Sequence, residues 1–165
     1  MPDAPRVLHF APEAALGSFI REGAVEYVTA DLMRDDVDLK INIEDIDLPD
    51  ASFEVIVCNH VLEHVNTPLA LTELYRILVP GGTALLSFPI EEGMAETYRN
   101  PEVTTDFERL LHFGQRDHVL SFGTDIREMI RGAGFGLSEF ATPPERHVDM
   151  GLALGSRIFI AKKAA

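Results

Sequence analysis

The chain has 165 residues, of which 46% are hydrophobic and 25% charged, and it carries a formal net charge of −13. This size and balance predict a single globular domain over residues 1–165. The acidic excess would repel the phosphates of a nucleic acid, and no apolar run approaches the roughly 20 residues that span a bilayer. We therefore expect neither nucleic acid nor a membrane as a partner. The one cysteine, Cys58, lies in an apolar run, so we expect it in the core of a cytoplasmic protein rather than in an internal disulfide.

Short, nearly continuous apolar runs predict strands that are buried on both faces of a parallel sheet. These runs are "RVLHFA" (6–11), "EYVTA" (26–30), "FEVIVC" (53–58) and "TALLSF" (83–88), and "DLKINI" (38–43) is a further predicted strand, the third in chain order. Near the carboxyl terminus, "GLSEFA" (136–141) and "SRIFIAKK" (156–163) predict a closing antiparallel pair.

Three amphipathic segments between these runs predict helices: one that begins after Pro12, and two that span 67–79 and 124–133. A threonine is expected to cap each of the last two at its first residue. The first helix is expected to turn its apolar side chains toward the core, and these are Leu16, Phe19 and Ile20. The alternation of strands and helices predicts an α/β fold with a doubly wound sheet.

Two regions depart from regular alternation. About seven residues separate the second run from the third, too few for a crossover helix of roughly a dozen residues, so this connection should be abbreviated or the third strand displaced. Residues 91–123 lack a strong periodicity and are rich in charged, aromatic and glycine residues. Long segments of that kind are usually lids or substrate loops, and we predict that role here.

Polar residues follow several of the predicted strands, where open parallel sheets bind their ligands. They are Glu13, Asp31, Asn42, Asn59 and His60. Asp31 carries the clearest signal, because a carboxylate at the tip of the second strand can accept hydrogen bonds from both hydroxyls of a ribose. It could equally cap the turn that follows it, and the sequence leaves both roles open.

Three blocks of the sequence resemble the class I S-adenosylmethionine-dependent methyltransferases, and especially a small bacterial branch of the methyltransferase type 11 kind. The blocks are "LPDASFEVIVCNHVLEHV", "LYRILVPGGTALLSFP" and "FGQRDHVLSFG". The resemblance extends from Val7 to Lys162. It implies a Rossmann-like sheet of seven strands with an antiparallel last strand, and S-adenosylmethionine as the cofactor.

The resemblance also implies roles by position. Asp31 corresponds to the ribose ligand, Asn42 and the backbone of Ile43 to the adenine edge, and Asn59 with His60 to the region of the methionine and the methyl group. The full set of implied cofactor-binding residues is His9, Phe10, Ala11, Glu13, Asp31, Leu32, Asn42, Ile43, Asn59 and His60.

The first block departs from the family pattern. Most members carry an acidic residue and three alternating glycines there, whereas this chain has His9, Ala11, Glu13 and Ala15. The cofactor has no phosphate and depends less on a glycine-rich cradle than a dinucleotide does. We therefore expect a remodelled site rather than an empty one, in which Glu13 or His9 accepts a hydrogen bond from the cofactor ammonium. The absence of G-x-G-x-x-G and of a P-loop excludes dinucleotide and P-loop chemistry.

The segment "HVLEH" matches the spacing of an inverted zinc-protease motif through His60, Glu63 and His64. No helical carboxylate downstream stands out as a third ligand, and the flanking strand belongs to the methyltransferase pattern. We therefore predict no metal site. His60 is expected to face the cofactor cleft, with Glu63 and His64 on a following helix.

The stretch "HFGQRDHVLSFG" (112–123) is either an ordinary polar loop or part of an acceptor site. In the second case Asp117 orients His118, which removes a proton from a hydroxyl or an amine. With His60, these two complete the predicted catalytic set.

The sequence therefore predicts a methyltransferase that acts on a small-molecule or glycan-related acceptor, and a homodimer is compatible with it. The alternative is a catalytically silent methyltransferase-like module, or a subunit that needs a partner.

Overall fold

The computed structural model describes residues 4–146, 148–149 and 156–165. Within these ranges the strands are β1 (Arg6–Phe10), β2 (Glu26–Asp31), β3 (Leu39–Lys40), β4 (Phe53–Asn59), β5 (Leu78–Ser87), β6 (Gly136–Ala141) and β7 (Arg157–Lys162). The helices are α1 (Ala14–Gly23), α2 (Thr67–Ile77), α3 (Asp106–Phe113) and α4 (Ile126–Gly132), with a 3₁₀ turn at Leu62–His64. None of the described helices is long and apolar enough to cross a membrane.

The seven strands form one mixed sheet in the order β3-β2-β1-β4-β5-β7-β6. Strands β1 to β5 run parallel, and β7 pairs antiparallel with both β5 and β6. This confirms the predicted Rossmann-like methyltransferase sheet with its antiparallel last strand. The strand order reverses between β1 and β4, so the carboxyl ends of these two strands open a crevice at the edge of the sheet.

The core lies on one face of the sheet. Alternate residues of the central strands, among them Leu8, Ile56 and Leu86, pack there against the apolar side of α2 and against α4. Cys58 belongs to this core as predicted, and burial raises the pKa of its thiol well above the usual range. A thiol in that environment is inert as a nucleophile.

The opposite face of the sheet is much more open. The side chains of Val57 and Leu85 line a groove of about 570 Å³ there, together with residues of α1. Leu16, Phe19 and Ile20 all line this open groove, and Phe19 is 76% exposed, so the prediction that the three side chains face the core is wrong. The periodicity identified the side of the helix that is apolar, but α1 leaves this part of the sheet uncovered.

The helix boundaries differ from the predictions in their capping. Asn66, not Thr67, caps α2: its side chain accepts a hydrogen bond from the Leu69 N–H, while Thr67 is buried and donates to the Leu62 carbonyl. The "PGG" sequence lies inside β5, because α2 already ends at Ile77. Helix α4 starts after the predicted cap, and the Thr124 hydroxyl donates to the Ala95 carbonyl instead.

Both irregular regions have clear structures. The connection after β2 is a series of turns, and β3 shrinks to two residues, which confirms the abbreviated connection. Residues 91–123 contain α3, which begins with a capping box between Thr105 and Glu108 and which periodicity did not reveal. The two ends of this segment are held together by bridges from Ile90 to Phe122 and from Tyr98 to Ser121.

Candidate functional site

A cleft of about 500 Å³ lies at the carboxyl edge of the sheet, within the range of about 300–1,000 Å³ that small-molecule sites occupy. Seven of the predicted cofactor-binding residues line it: Phe10, Ala11, Asp31, Leu32, Asn42, Ile43 and His60. They come from the ends of four strands or the turns that follow, so the strand-end argument brings them together correctly.

Asp31 caps the turn that follows it, one of the two roles that the sequence left open, with one of its carboxylate oxygens. Oδ1 accepts hydrogen bonds from the N–H groups of Met33, at 2.7 Å, and Arg34, at 3.0 Å, and so caps the turn after β2. Among the described contacts, no hydrogen bond reaches Oδ2. This oxygen is available to a ligand hydroxyl in the cleft.

The neighbouring wall of the cleft suits a flat aromatic base. Ile43 is buried there, and Phe10, Ile41 and Val61 add further apolar surface. The side-chain oxygen of Asn42 accepts a hydrogen bond from the Glu44 N–H and so holds the turn after β3.

The turn after β1 contains a chain of hydrogen bonds that replaces the glycine pattern. The His9 ring is fully buried: its Nδ1 lies 2.8 Å from the Tyr27 hydroxyl and its Nε2 lies 2.8 Å from Glu13 Oε2. Since a carboxylate only accepts, Nε2–H donates to Glu13, and in the neutral ring Nδ1 then accepts from the tyrosine O–H. On the other side of the carboxylate, Asn59 Nδ2 donates to Glu13 Oε1, and Ser87 Oγ donates to Asn59 Oδ1.

Burial lowers the pKa of His9 below its usual value, and the nearby Glu13 carboxylate only partly offsets this effect. A neutral His9 agrees with the direction of the hydrogen bonds around it. The chain of hydrogen bonds therefore consists of neutral groups that hold one half-exposed carboxylate, that of Glu13. Three predicted cofactor-binding residues do not line the cleft: His9, Glu13 and Asn59. Glu13 lines a smaller cavity of about 190 Å³ beside α1, and Asn59 lines the apolar groove on the open face of the sheet.

Two features of the backbone allow this turn to form its hydrogen bonds. Ala11 has a φ of 47°, in the left-handed region, and its N–H donates to the Ala30 carbonyl at 2.9 Å. This explains why a glycine is usual at such a position. Gly17 lies opposite Tyr27, and a Cβ at that position would come within 2.5 Å of the tyrosine hydroxyl. The late glycine of the first block therefore gives Tyr27 room to reach His9.

The turn after β4 is different in character. His60 also has a left-handed φ, of 52°, and its side chain is 65% exposed at the cleft. Its Nδ1 lies 3.4 Å from Oε1 of Glu63, a residue that is almost completely buried. Glu63 and His64 lie on the 3₁₀ turn and not on a regular helix, contrary to the prediction.

His118 and Asp117 reach the same region from the segment 112–123. His118 is 6% exposed, and its ring makes an edge contact with His64, with the ring centroids 4.9 Å apart. The predicted orientation of His118 by Asp117 is not what the structure shows. Asp117 instead contacts His64: its carbonyl accepts from His64 Nδ1 at 3.0 Å, and its carboxylate lies 3.6 Å from the same nitrogen.

Comparisons with known proteins agree with this geometry. Residues 8–86 match a family model described as a methyltransferase domain. No curated protein sequence matches the chain.

Solved structures share the fold over nearly the whole chain. The 1,6-didemethyltoxoflavin-N1-methyltransferase of Burkholderia thailandensis, determined with bound S-adenosylhomocysteine, superposes with a TM-score of 0.70 at 16% identity and covers 99% of this chain and 72% of its own. An S-adenosylmethionine-dependent methyltransferase from Mesorhizobium loti gives 0.65 at 16% identity, over 99% and 94% of the two chains. A Haloferax volcanii methyltransferase-family complex with the activator Trm112 gives 0.64 at 14%, over 100% and 86%.

Proposed function

We propose that this chain is a class I S-adenosylmethionine-dependent methyltransferase, and that it transfers the methyl group of S-adenosylmethionine to a small-molecule or glycan-related acceptor. The observation that carries the proposal is the cleft at the carboxyl edge, which gathers Asp31, Asn42 and His60 from three different strand ends. When bound, the cofactor supplies an electrophilic methyl group on a sulfonium.

We assign the parts of the cofactor by the chemistry of the residues. The free oxygen of Asp31 accepts from the ribose hydroxyls, and the apolar slot beside Ile43 and Asn42 holds the adenine. The Glu13 carboxylate, held by His9 and Asn59, accepts from the methionine ammonium. This arrangement fixes a hydrogen-bond acceptor for the ammonium without the glycine pattern. The carboxylate belongs to a residue of the turn after β1 and not to a residue at the end of β1.

On the acceptor side, we assign His60 to the open part of the cleft, since its ring is mostly exposed there. In-line alignment of nucleophile, methyl and sulfur supplies most of the rate of such a transfer, so the protein mainly needs to orient the acceptor. His60 can remove the proton from a hydroxyl acceptor. Asp117 lines the same cleft, whereas His118 lies beside it against the ring of His64.

The test is turnover with defined acceptors. Release of S-adenosylhomocysteine is measured while the protein is offered sugars, sugar nucleotides and small hydroxylated or amino compounds. We expect release with at least one class, and a fall of about 100-fold or more in Asp31→Ala, which loses contacts to the cofactor ribose. Tight cofactor binding without release on any acceptor, at all protein concentrations, would support the silent module instead.

A second candidate, a subunit that requires a partner, has one observation in its favour. The sheet face beside α1 is apolar and open, with Phe19 and Ile158 exposed along it. The Haloferax neighbour was determined in complex with an activator protein. Light scattering across a range of concentrations distinguishes a self-associating chain, whose mass rises with concentration, from a monomer that lacks its partner.

A further inference from the structure

A buried cluster beside the cleft carries chemistry that cofactor binding does not use. One donor atom each from Glu63, His64 and His118 lies within 4.8 Å of the other two. Neither carboxylate oxygen of Glu63 has a hydrogen-bond partner among the described residues, although the side chain is only 2% exposed. We propose that these three side chains bind one divalent transition-metal ion, and that this ion is zinc.

The environment of Glu63 provides the first argument. A carboxylate that is removed from water is costly unless a cation or a set of donors compensates it. The closest basic group is His60, whose Nδ1 is 3.4 Å from Oε1, but that ring is mostly in solvent and the contact lacks hydrogen-bond geometry. A metal ion between the carboxylate, the buried imidazole of His118 and the partly buried imidazole of His64 supplies the missing charge.

The donor set provides the second argument. Two imidazoles and one carboxylate are the ligands of many catalytic zinc sites, whereas Mg²⁺ and Ca²⁺ prefer oxygen ligands alone. Two donors of a tetrahedral zinc ion are about 3.4 Å apart, since each bond is roughly 2.0–2.2 Å long. The donor atoms lie within 4.8 Å of one another, so binding would draw them together by up to about 1.4 Å.

The surroundings of the cluster already orient its ligands. His64 Nδ1 donates to the Asp117 carbonyl at 3.0 Å, so in the neutral ring Nε2 keeps its lone pair for a metal. The Val119 N–H donates to the Glu63 carbonyl at 3.0 Å and ties together the two segments that supply the ligands. Such outer contacts are characteristic of histidine metal ligands.

The site lies at the boundary of two cavities. His64 lines the cofactor cleft, whereas Glu63 and His118 line an adjoining cavity of about 180 Å³. Three protein donors leave one tetrahedral position open, so an oxygen of the acceptor can reach the ion and be made more acidic by it. This last consequence rests on the proposed methyl transfer, whereas the metal site itself does not. It also makes His118 a ligand rather than the base that the sequence predicts.

The test is a zinc titration of the full chain, purified without a nickel column, stripped with a chelator and dialysed. Calorimetry is expected to give one site per chain with a dissociation constant of about 1 μM or tighter. Glu63→Gln and His118→Ala should each weaken binding by about 10-fold or more. His112→Ala is the matched control, because His112 contacts Tyr98 outside the cluster and its loss should leave zinc binding unchanged. Mg²⁺ should give no comparable signal.

Two further readouts do not depend on heat. Co²⁺ should produce a visible absorption band in the wild type and in His112→Ala but not in His118→Ala. Zinc should raise the melting temperature of the wild type and not that of Glu63→Gln. If Glu63→Gln fails to fold, His118→Ala decides the test.

No zinc binding by the wild type, or equal binding by the wild type, Glu63→Gln and His118→Ala, would overturn the proposal. A parallel titration with S-adenosylhomocysteine separates it from the proposed function. Protein that binds this ligand but no zinc contradicts the metal site alone, and protein that binds zinc but not this ligand contradicts the methyltransferase assignment alone.

Discussion

The turns after β1 and β4 are neighbours at the edge of the sheet, and both place a residue other than glycine in the left-handed region, Ala11 and His60. Their polar groups differ. In the first turn the buried His9 is bonded at both nitrogens, and its partner Glu13 is bonded at both oxygens. In the second, buried Glu63 is bonded at neither oxygen. Most buried polar groups have hydrogen-bond partners, as His9 does, whereas a buried group without one, such as Glu63, requires an explanation, of which a bound ion is one.

The largest expected difference is between the two histidines of these turns. His9→Ala should reduce the free energy of unfolding by about 3 kcal/mol, because it leaves a cavity and unpaired partners at Tyr27 and Glu13. His60→Ala should change it by less than about 0.5 kcal/mol, because His60 is mostly in solvent. Urea denaturation of both variants measures the difference. If both variants lost the same free energy of unfolding, His9 would contribute no more to the stability of the fold than His60 does.

Gly17→Ala tests whether the hydrogen-bond chain needs a glycine opposite Tyr27. The new methyl group should displace the tyrosine hydroxyl and leave Nδ1 of His9 unpaired, at about 1–3 kcal/mol, against about 1 kcal/mol of gained helix propensity. We expect a net loss of about 1 kcal/mol in thermal or urea unfolding. Gly23→Ala at the end of the same helix meets no atom within 4 Å and should not destabilise the protein. A stabilised Gly17→Ala would contradict the packing argument.

Ala11→Gly should stabilise the protein by about 0.5–1 kcal/mol, because relief of a left-handed alanine exceeds the entropic cost of glycine. Ala51, with a φ of 54°, is a matched control at a turn outside the cleft. Ala51→Gly should bring a similar gain in urea denaturation. Only Ala11→Gly should alter cofactor affinity, since only Ala11 lines the cleft. Identical effects of both variants on affinity would remove Ala11 from the site.

The pH dependence of stability isolates His9 by the direction of its pKa. Burial lowers the folded-state pKa of His9, so below the unfolded value of about 6.5 the unfolded chain binds a proton more readily than the folded one. The contribution of neutral His9 is complete above that pH and is lost as the pH falls through the window below it. The free energy of unfolding should therefore decrease more between pH 7.5 and pH 5 in the wild type than in His9→Gln. A steeper decrease in the variant would assign the acid sensitivity to other groups.

The sheet could be predicted from the sequence because strands buried on both faces read as continuous apolar runs, as in β4 and β5. The exposure of Phe19 could not, because periodicity identifies an apolar side of a helix but not what covers it. Helix α3 was missed although its capping box, Thr105 and Glu108, is readable in the sequence.

The candidate site also has a part that could be predicted from the sequence and a part that could not. Asp31, Asn42 and His60 follow strands whose ends meet at one edge of the sheet, so topology alone brings them together. The neighbours of His9 and Glu63 come from distant segments, Tyr27 in one case and His118 in the other, and strand-end reasoning contains no information about such pairs. The H-x-x-E-H motif contains Glu63 and His64 of the second cluster, but the sequence predicted no metal site, because His118 belongs to a separate segment.

Isothermal titration calorimetry with S-adenosylmethionine and S-adenosylhomocysteine tests the central claim most directly, namely that the glycine-poor first turn still holds the cofactor. The account predicts micromolar binding, about −8 kcal/mol, to the wild type. It predicts no measurable binding to Asp31→Ala and binding weakened by about 10-fold or more in Glu13→Ala. Absence of heat and of thermal stabilisation with the wild type at millimolar ligand would contradict the account.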